Sequence, residues 1–357
     1  MRYLLLFCFA LSSLAILAQD YKPVEVNSSE QRTIYSNVVN QEYTLHILNG
    51  SDARKGEKLP VLYLLDSQWD FPLMNSIYGE QYYDGYTPKM LIVGVTWGKS
   101  DNPDILRRRD YTPTPENGNG NGGGADKFLE FFETELFPFI EKEYNGDSNN
   151  RTIAGCSLGG LFTLYALFHK AELFDNYIAA SPAIGWDRNY LFEVEEAYSK
   201  NNSGKIKNVF MGHGSEEFNG EKFELFLNKI ASRDYNHLNV RAQFLEGVGH
   251  SGTKALAYTW GTQHVYKKPV YNLSLKDIKT YVGKYKNDNG NIVELTLNSG
   301  SLFFTRGNFS LPLRPATKDF FVYDGMFLNV SVQFDDNGNI KGITQHNYGN
   351  DMLYTKL

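Results

Sequence analysis

Residues 155–160 carry the strongest candidate for covalent chemistry in this sequence. They read Gly-Cys-Ser-Leu-Gly-Gly, which places Ser157 between glycines two positions before and two positions after it. A short apolar stretch precedes the motif and a helical pattern follows it from Leu158, as expected for a sharp strand-to-helix turn. Such a turn exposes the hydroxyl and places a helix N-terminus behind it, where negative charge is stabilised. We therefore predict that Ser157 is a nucleophile for acyl transfer; the alternative is an ordinary serine in a glycine-containing turn.

A serine nucleophile on such a turn needs an acid and then a histidine later in the chain. His250 lies in a glycine-flanked segment after the last apolar strand and is predicted to be the base, rather than a loop histidine that caps the next helix. Two adjacent carboxylates follow the preceding strand. We favour Glu217 as the acid, with Glu216 as the alternative; both could instead simply begin a helix, where acidic residues are favourable.

The negative charge formed during acyl transfer needs two hydrogen-bond donors. We expect one to be the backbone N–H of Leu158, directly after the nucleophile. The other should come from the loop after an earlier central strand, residues 66–69, where Gln68 is the first choice and Ser67 the second. Trp69 of this loop and Trp186, in a predicted lid at residues 184–205, are expected to contact the substrate. An aromatic lid residue can equally serve packing.

The secondary-structure elements that must position these residues are predicted to alternate between strands and helices. Amphipathic helices, for example over residues 128–140 and 161–168, lie between short apolar stretches. Strands that alternate with helices predict a mostly parallel sheet with helices on both faces, whose ligand site lies beyond the carboxyl ends of the strands. The predicted strands are residues 60–65, 90–95, 151–155, 177–180, 209–212 and 240–245.

The size of the chain, 357 residues, indicates a large catalytic domain followed by a small one. From about residue 272 the pattern changes to short alternating strands with Asn-Gly and Ser-Gly turns, which predicts a small all-β domain over residues 272–357. An accessory barrel without catalytic residues is favoured there over a surface for glycans or partners. A net charge of -6 disfavours nucleic acid as a partner.

The first 18 residues resemble a secretory signal peptide, with Arg2 ahead of an apolar run. The alternative is a membrane anchor, although the run is shorter than a bilayer requires. We expect a periplasmic or secreted protein without a membrane span after cleavage. Cys156 would then be the only cysteine, so no intramolecular disulfide is expected.

Several motifs together resemble a known family. They are residues 61–66, 93–95, 109–113, 123–125 and 155–160. In this order and spacing they are similar to the esterase family of α/β-hydrolases, and in particular to the branch that contains the periplasmic enterobactin and salmochelin esterases. The resemblance implies an α/β-hydrolase domain over residues 19–271, hydrolysis of a small-molecule ester without metal or cofactor, and the Ser157, Glu217 and His250 assignments.

In that branch an arginine before the Asp-Tyr-Thr-Pro segment faces the substrate, which corresponds to Arg107 here. The alternative is a solvated basic cluster in which Arg107 and its neighbours pair with Asp104 or Asp110. Related enzymes cleave siderophore trilactones and aromatic or sugar esters, and a fold does not choose among these substrates. Two other functions are considered, a non-catalytic exported binding protein on a hydrolase scaffold and a serine peptidase.

Overall fold

A computed structural model describes residues 25–49, 56–98, 100, 102–118, 120–200, 204–324, 328–347 and 350–357. The predicted signal peptide, residues 1–18, lies outside the described residues. Within the described ranges no helix combines the length and apolarity needed to cross a bilayer.

An eight-stranded sheet organises the larger part of the chain, in the order β1-β2-β4-β3-β5-β6-β7-β8. The six strands from β3 onward run parallel to one another, while β1 and β2 form an antiparallel hairpin at one edge. The strands are β1 Ser29–Ser36, β2 Gln41–Leu48, β3 Leu59–Leu64, β4 Leu91–Thr96, β5 Gly146–Cys156, β6 Asn176–Ala180, β7 Lys207–Gly214 and β8 Leu238–Leu245.

Helices cover both faces of this sheet, which confirms the predicted fold class. One face packs against α1 and α8 through an apolar cluster that includes Phe71, Met74 and Tyr258. The other face packs against α3 to α7 through a larger cluster that includes Phe128 and Phe162. The helices are α1 Ser67–Tyr83, α2 Pro103–Tyr111, α3 Ala125–Phe131, α4 Phe137–Tyr144, α5 Leu158–His169, α6 Trp186–Ser199, α7 Gly220–Ala231 and α8 Thr253–Val265.

Two features of this part differ from the sequence expectation. The helix predicted over residues 128–140 is divided into α3 and α4 by a π-helical turn, Phe132–Leu136. Pro138 follows that turn, and since proline has no backbone N–H, it cannot continue a regular hydrogen-bond pattern. The β1–β2 hairpin was not predicted. Most of β1 is solvent-exposed and therefore lacks the apolar run that marked the buried strands.

The C-terminal part forms a closed antiparallel barrel of eight strands, which confirms that this region is all-β. Its core contains Tyr285, Phe304 and Phe321, all nearly or fully buried. A short helix that was not predicted, α9 Leu275–Tyr281, precedes the first strand. The strands are β9 Gly283–Lys286, β10 Ile292–Asn298, β11 Ser301–Arg306, β12 Phe309–Pro315, β13 Phe320–Val322, β14 Asn329–Phe334, β15 Ile340–Asn347 and β16 Asn350–Lys356.

Candidate active site

Ser157 lies at the sharp turn where β5 ends and α5 begins, with φ 60° and ψ -117°. A positive φ is strained for a residue other than glycine, and such strain concentrates at functional sites. A Cβ on Gly155 would lie only 2.6 Å from the carbonyl carbon of Gly159, so the turn tolerates no side chain at position 155. The turn leaves Ser157 half-buried at the carboxyl edge of the sheet.

His250 and Glu217 meet beyond the ends of neighbouring strands. Glu217 follows β7, and His250 lies in the loop between β8 and α8. His250 Nδ1 is 2.6 Å from Glu217 Oε2. Because an ionised carboxylate only accepts hydrogen bonds, Nδ1 carries the proton and Nε2 of the neutral ring is left as an acceptor. This tautomer is the one that can take a proton from a serine hydroxyl.

Four groups hold the Glu217 carboxylate in place. Besides His250, it accepts hydrogen bonds at Oε1 from the backbone N–H of Gly214 at 2.7 Å, from Thr253 Oγ1 at 3.0 Å and from Ser181 Oγ. Burial by itself raises the pKa of Glu217, but these hydrogen bonds outweigh burial and lower the pKa below its ordinary value. The carboxylate is therefore ionised at neutral pH.

Glu216, the alternative acid, has a different hydrogen-bond partner. Its side chain is exposed and accepts a hydrogen bond from the hydroxyl of Ser215 at 3.2 Å. The structure thus brings Glu217, rather than its neighbour, to the imidazole of His250.

Ser157 and His250 both line two cavities. The first, of about 340 Å³, lies over the ends of β6 and β7 and is also lined by Ser181, Glu217 and Phe218. The second, of about 360 Å³, is also lined by Asp66, Trp69, Arg107, Cys156, Ser251 and Lys254. The serine and the imidazole therefore border both cavities.

Two helix N-termini converge beside the serine. Leu158 is the first residue of α5, and Gln68 is the second residue of α1, which starts at the end of the neighbouring strand β3. The first N–H groups of a helix have no intrahelical acceptor, so the backbone N–H groups of both residues are available. Ser67, the second choice, directs its hydroxyl to His46 Nδ1 at 2.9 Å.

Comparisons with known proteins agree with this geometry. Residues 36–244, more than half of the chain, match the family described as "Putative esterase". The chain belongs to this esterase family. A relative, the ferri-bacillibactin esterase BesA of Bacillus subtilis, is 31% identical over 249 residues, which cover 63% of this chain and 85% of the relative.

Solved structures also resemble the esterase. The BES protein from Bacillus cereus superposes with a TM-score of 0.62 at 26% identity, over 69% of this chain and 99% of that one. An IroE-like serine hydrolase from Shewanella oneidensis shares the fold with a TM-score of 0.60 at 23% identity, over 70% of this chain and 84% of that one. The protein is therefore a carboxylic ester hydrolase of the serine esterase type.

Arg107 of the esterase forms an ion pair with a buried carboxylate. Its Nε and Nη2 lie 2.7 Å and 2.8 Å from the two oxygens of Asp66, and Nη2 also donates to the carbonyl of Cys156 at 3.3 Å. The neighbouring Arg109 pairs with Asp110 at 2.6 Å. Arg107 thus borders the second cavity while it connects the loop of Gln68 to the turn of Ser157.

The two tryptophans predicted to contact substrate occupy different environments. Trp69 is 54% exposed and borders the second cavity, with the charged groups of Arg107 and Lys254 5.9 Å and 6.0 Å from its ring. Trp186 begins α6, donates its indole N–H to the carbonyl of Thr114 at 3.0 Å and packs against the core. Trp186 therefore joins α6 to the segment around Thr114.

The C-terminal barrel of the esterase also contains a serine, a histidine and a carboxylate, and these three are hydrogen-bonded in series. Ser331 Oγ is 2.8 Å from His346 Nε2, and His346 Nδ1 is 2.8 Å from Asp351 Oδ1. Ser331 belongs to the regular strand β14, whose backbone pairs with β13 and β15. It therefore has neither the strained turn nor the free helix N-terminus that accompany Ser157.

Several residues at the site were not predicted from the sequence. Ser181 and Thr253 hold Glu217, Asp66 holds Arg107, and Asp70 holds Lys254 at 2.5 Å. Ser181 directly follows β6. Its position at the carboxyl end of a predicted strand could have marked it as a site residue from the sequence. Among the described residues, no three or more His, Cys, Asp or Glu side chains are grouped so that they could hold a metal ion.

Proposed function

We propose that this esterase hydrolyses its substrate through an acyl-serine intermediate, with Ser157 as nucleophile, His250 as base and Glu217 as acid. The observation that carries the proposal is the 2.6 Å contact between Glu217 and His250 in the space that also contains Ser157. The strained turn at Ser157 supports the same assignment.

In the proposed reaction, Nε2 of His250 takes the proton of the Ser157 hydroxyl while the serine oxygen attacks the ester carbonyl. The backbone N–H groups of Leu158 and Gln68 stabilise the resulting oxyanion. The imidazolium, held by Glu217, then donates its proton to the departing alcohol. A water molecule, activated by the same imidazole, attacks the acyl-serine and releases the acid and the free serine.

We propose that the esterase is exported and is periplasmic or secreted, because Arg2 and the apolar run after it are typical of a signal peptide. Relatives of the chain include the ferri-bacillibactin esterase and a siderophore triacetylfusarinine C esterase. A siderophore ester is therefore the first candidate substrate, with esters of aromatic acids or sugars as the second. We propose Arg107 and Trp69 as contacts for the part of the substrate in the second cavity, and Trp186 as a support for the lid.

The test compares the wild type with Ser157→Ala on p-nitrophenyl acetate, a catecholate trilactone and methyl ferulate. We expect Ser157→Ala to abolish hydrolysis of every ester that the wild type cleaves, with an unchanged circular dichroism spectrum. Retained hydrolysis in Ser157→Ala would contradict the nucleophile assignment. No hydrolysis by the folded wild type would favour the binding-protein function considered from the sequence.

A further inference from the structure

A third cavity, of about 370 Å³, lies where the C-terminal barrel meets the larger part of the chain. Strand β8 and the end of α8 line it on one side, through Arg241 and His264, and the barrel lines it on the other, through Arg314 of β12. α8 begins at Thr253, which contacts Glu217, and His264 lies in its last turn, about 16 Å farther along the helix. The third cavity is therefore separate from the two cavities of the candidate active site.

Positive charge dominates the wall of the third cavity. Its described lining contains four lysine or arginine side chains and one carboxylate, Asp324, although the whole chain has a net charge of -6. Asp324 already forms a two-point ion pair with Arg314, whose Nη2 lies 2.7 Å from Oδ1. The other three cations, Arg241, Lys267 and Lys268, form no ion pair with a carboxylate in the part of the chain that the structure describes. The cavity thus keeps positive charge that the protein does not neutralise by ion pairing.

The ammonium of Lys268 is half-buried, and its hydrogen bonds go to neutral groups. It donates to the carbonyl of Gly85 at 2.9 Å and to Asn329 Oδ1 at 3.2 Å, which leaves one of its three N–H groups for another acceptor. Burial lowers the pKa of Lys268, and the attraction of Asp324 does not restore the ordinary value because Arg314 repels the charge. A cation that is partly removed from water is stabilised by an anion, so a negatively charged third acceptor would suit this position.

Arg241 and Lys267 extend the positive charge along the same wall. The guanidinium of Arg241 donates to the neutral Gln243 Oε1 at 3.2 Å and 3.0 Å, and the side chain of Lys267 is exposed. Burial lowers the pKa of His264, and the charges of Arg241 and Lys267 lower it further. The C-terminus of α8 favours cations near it, but Arg241 belongs to β8 and Arg314 to β12, so the helix end does not account for the whole cluster.

We infer that the third cavity binds a dianionic oxyanion, a phosphate or sulfate group, with Arg241, Lys267 and Lys268 as its contacts. A tetrahedral oxyanion with two negative charges offers an acceptor to each of these cations, and arginine and lysine are common partners of such groups. The volume of about 370 Å³ is in the range of small-molecule sites, so the group is a free ion or an ester on a small molecule. Because both parts of the chain line the cavity, the bound anion also stabilises their contact.

The experiment is isothermal titration calorimetry of the purified protein with inorganic phosphate, sulfate, phenyl phosphate and acetate. It is done at about pH 8, where phosphate is a dianion, and at constant ionic strength set with chloride. We expect phosphate and sulfate to bind about tenfold or more tightly than the monovalent acetate. In Lys268→Met and in Arg241→Gln the dissociation constant of phosphate should rise about tenfold, as for loss of a charged hydrogen bond. Phosphate should raise the Tm of the wild type more than that of either variant.

Lys142→Met is the matched control, because it removes an exposed lysine of α4 and should leave phosphate binding unchanged. Lys267→Met separates binding from folding: this exposed side chain should be lost without a change in Tm in phosphate-free buffer, yet phosphate should bind several-fold more weakly.

Phenyl phosphate distinguishes the two sources of the anion. Affinity equal to that of inorganic phosphate would support a free ion, and higher affinity would support a phosphate ester. Equal affinity for acetate and phosphate, or wild-type affinity for phosphate in both Lys267→Met and Arg241→Gln, would overturn the assignment. Hydrolysis of p-nitrophenyl acetate should be unchanged in all these variants, since the third cavity is separate from the candidate active site.

Discussion

Arg107 and Asp66 form a two-point ion pair directly beside the proposed nucleophile, with contacts of 2.7 Å and 2.8 Å. Asp66 is the last residue before α1. Arg107, from α2, donates a hydrogen bond to the carbonyl of Cys156, the residue before Ser157. The pair thus joins the two backbone segments that carry the proposed oxyanion donors. The side chain of Asp66 is 1% exposed, so its charge depends on Arg107.

We predict that Arg107→Gln destabilises the fold by about 3 kcal/mol, because it leaves the buried Asp66 carboxylate without its cation. Asp66→Asn combined with Arg107→Gln should recover much of this loss. The measurement is urea unfolding of the wild type, both single variants and the double variant. An Arg107→Gln protein with wild-type stability and only a raised KM would show that Arg107 acts on the substrate alone.

We predict that Glu217→Gln lowers kcat by about 10²- to 10⁴-fold, because an amide does not enforce the His250 tautomer that a carboxylate enforces. Glu216→Gln is the matched control, since the exposed Glu216 accepts a hydrogen bond from Ser215 whereas Glu217 contacts the imidazole. The measurement is steady-state hydrolysis of p-nitrophenyl acetate by both variants. If Glu216→Gln gave the larger loss, the acid would be Glu216.

The lowered pKa of Glu217 predicts a dependence of stability on pH. A carboxylate whose pKa is lower in the folded state stabilises the fold at pH values above its ordinary pKa near 4.5, and this contribution is lost as the pH falls through the lowered folded value. The free energies of unfolding of the wild type and Glu217→Gln should therefore differ most near neutral pH and converge below about pH 4. A constant difference from pH 7 to pH 3 would be incompatible with an ionised, hydrogen-bonded Glu217.

Ser157 and Ser331 should differ in their reactivity toward a serine-directed probe. We predict that a fluorophosphonate probe labels Ser157 and leaves Ser331 unmodified, because the backbone donors needed for the oxyanion accompany only the former. Peptide mapping by mass spectrometry of the wild type, Ser157→Ala and Ser331→Ala measures this. Ser331→Ala should keep full esterase activity; labelling of Ser331 would mean that hydrogen bonding to His346 is enough to activate it.

The sequence by itself determined the features that depend on neighbouring residues and on pattern. The strained turn at Ser157 is encoded by glycines within a few positions, and the buried parallel strands are encoded by continuous apolar runs. Since ligand sites of such sheets lie at the carboxyl strand ends, the segments with Gln68, Glu217 and His250 could be assigned to one edge without coordinates.

Tertiary structure alone decided the features that depend on contacts between distant segments. Which of two adjacent glutamates faces His250 depends on the turn after β7, where Ser181 and Thr253 from other loops hold Glu217. Closure of the barrel likewise requires β16 to pair with β9, about 70 residues earlier in the chain. The partner of Arg107 follows from long-range packing of this kind, which single-sequence patterns do not encode.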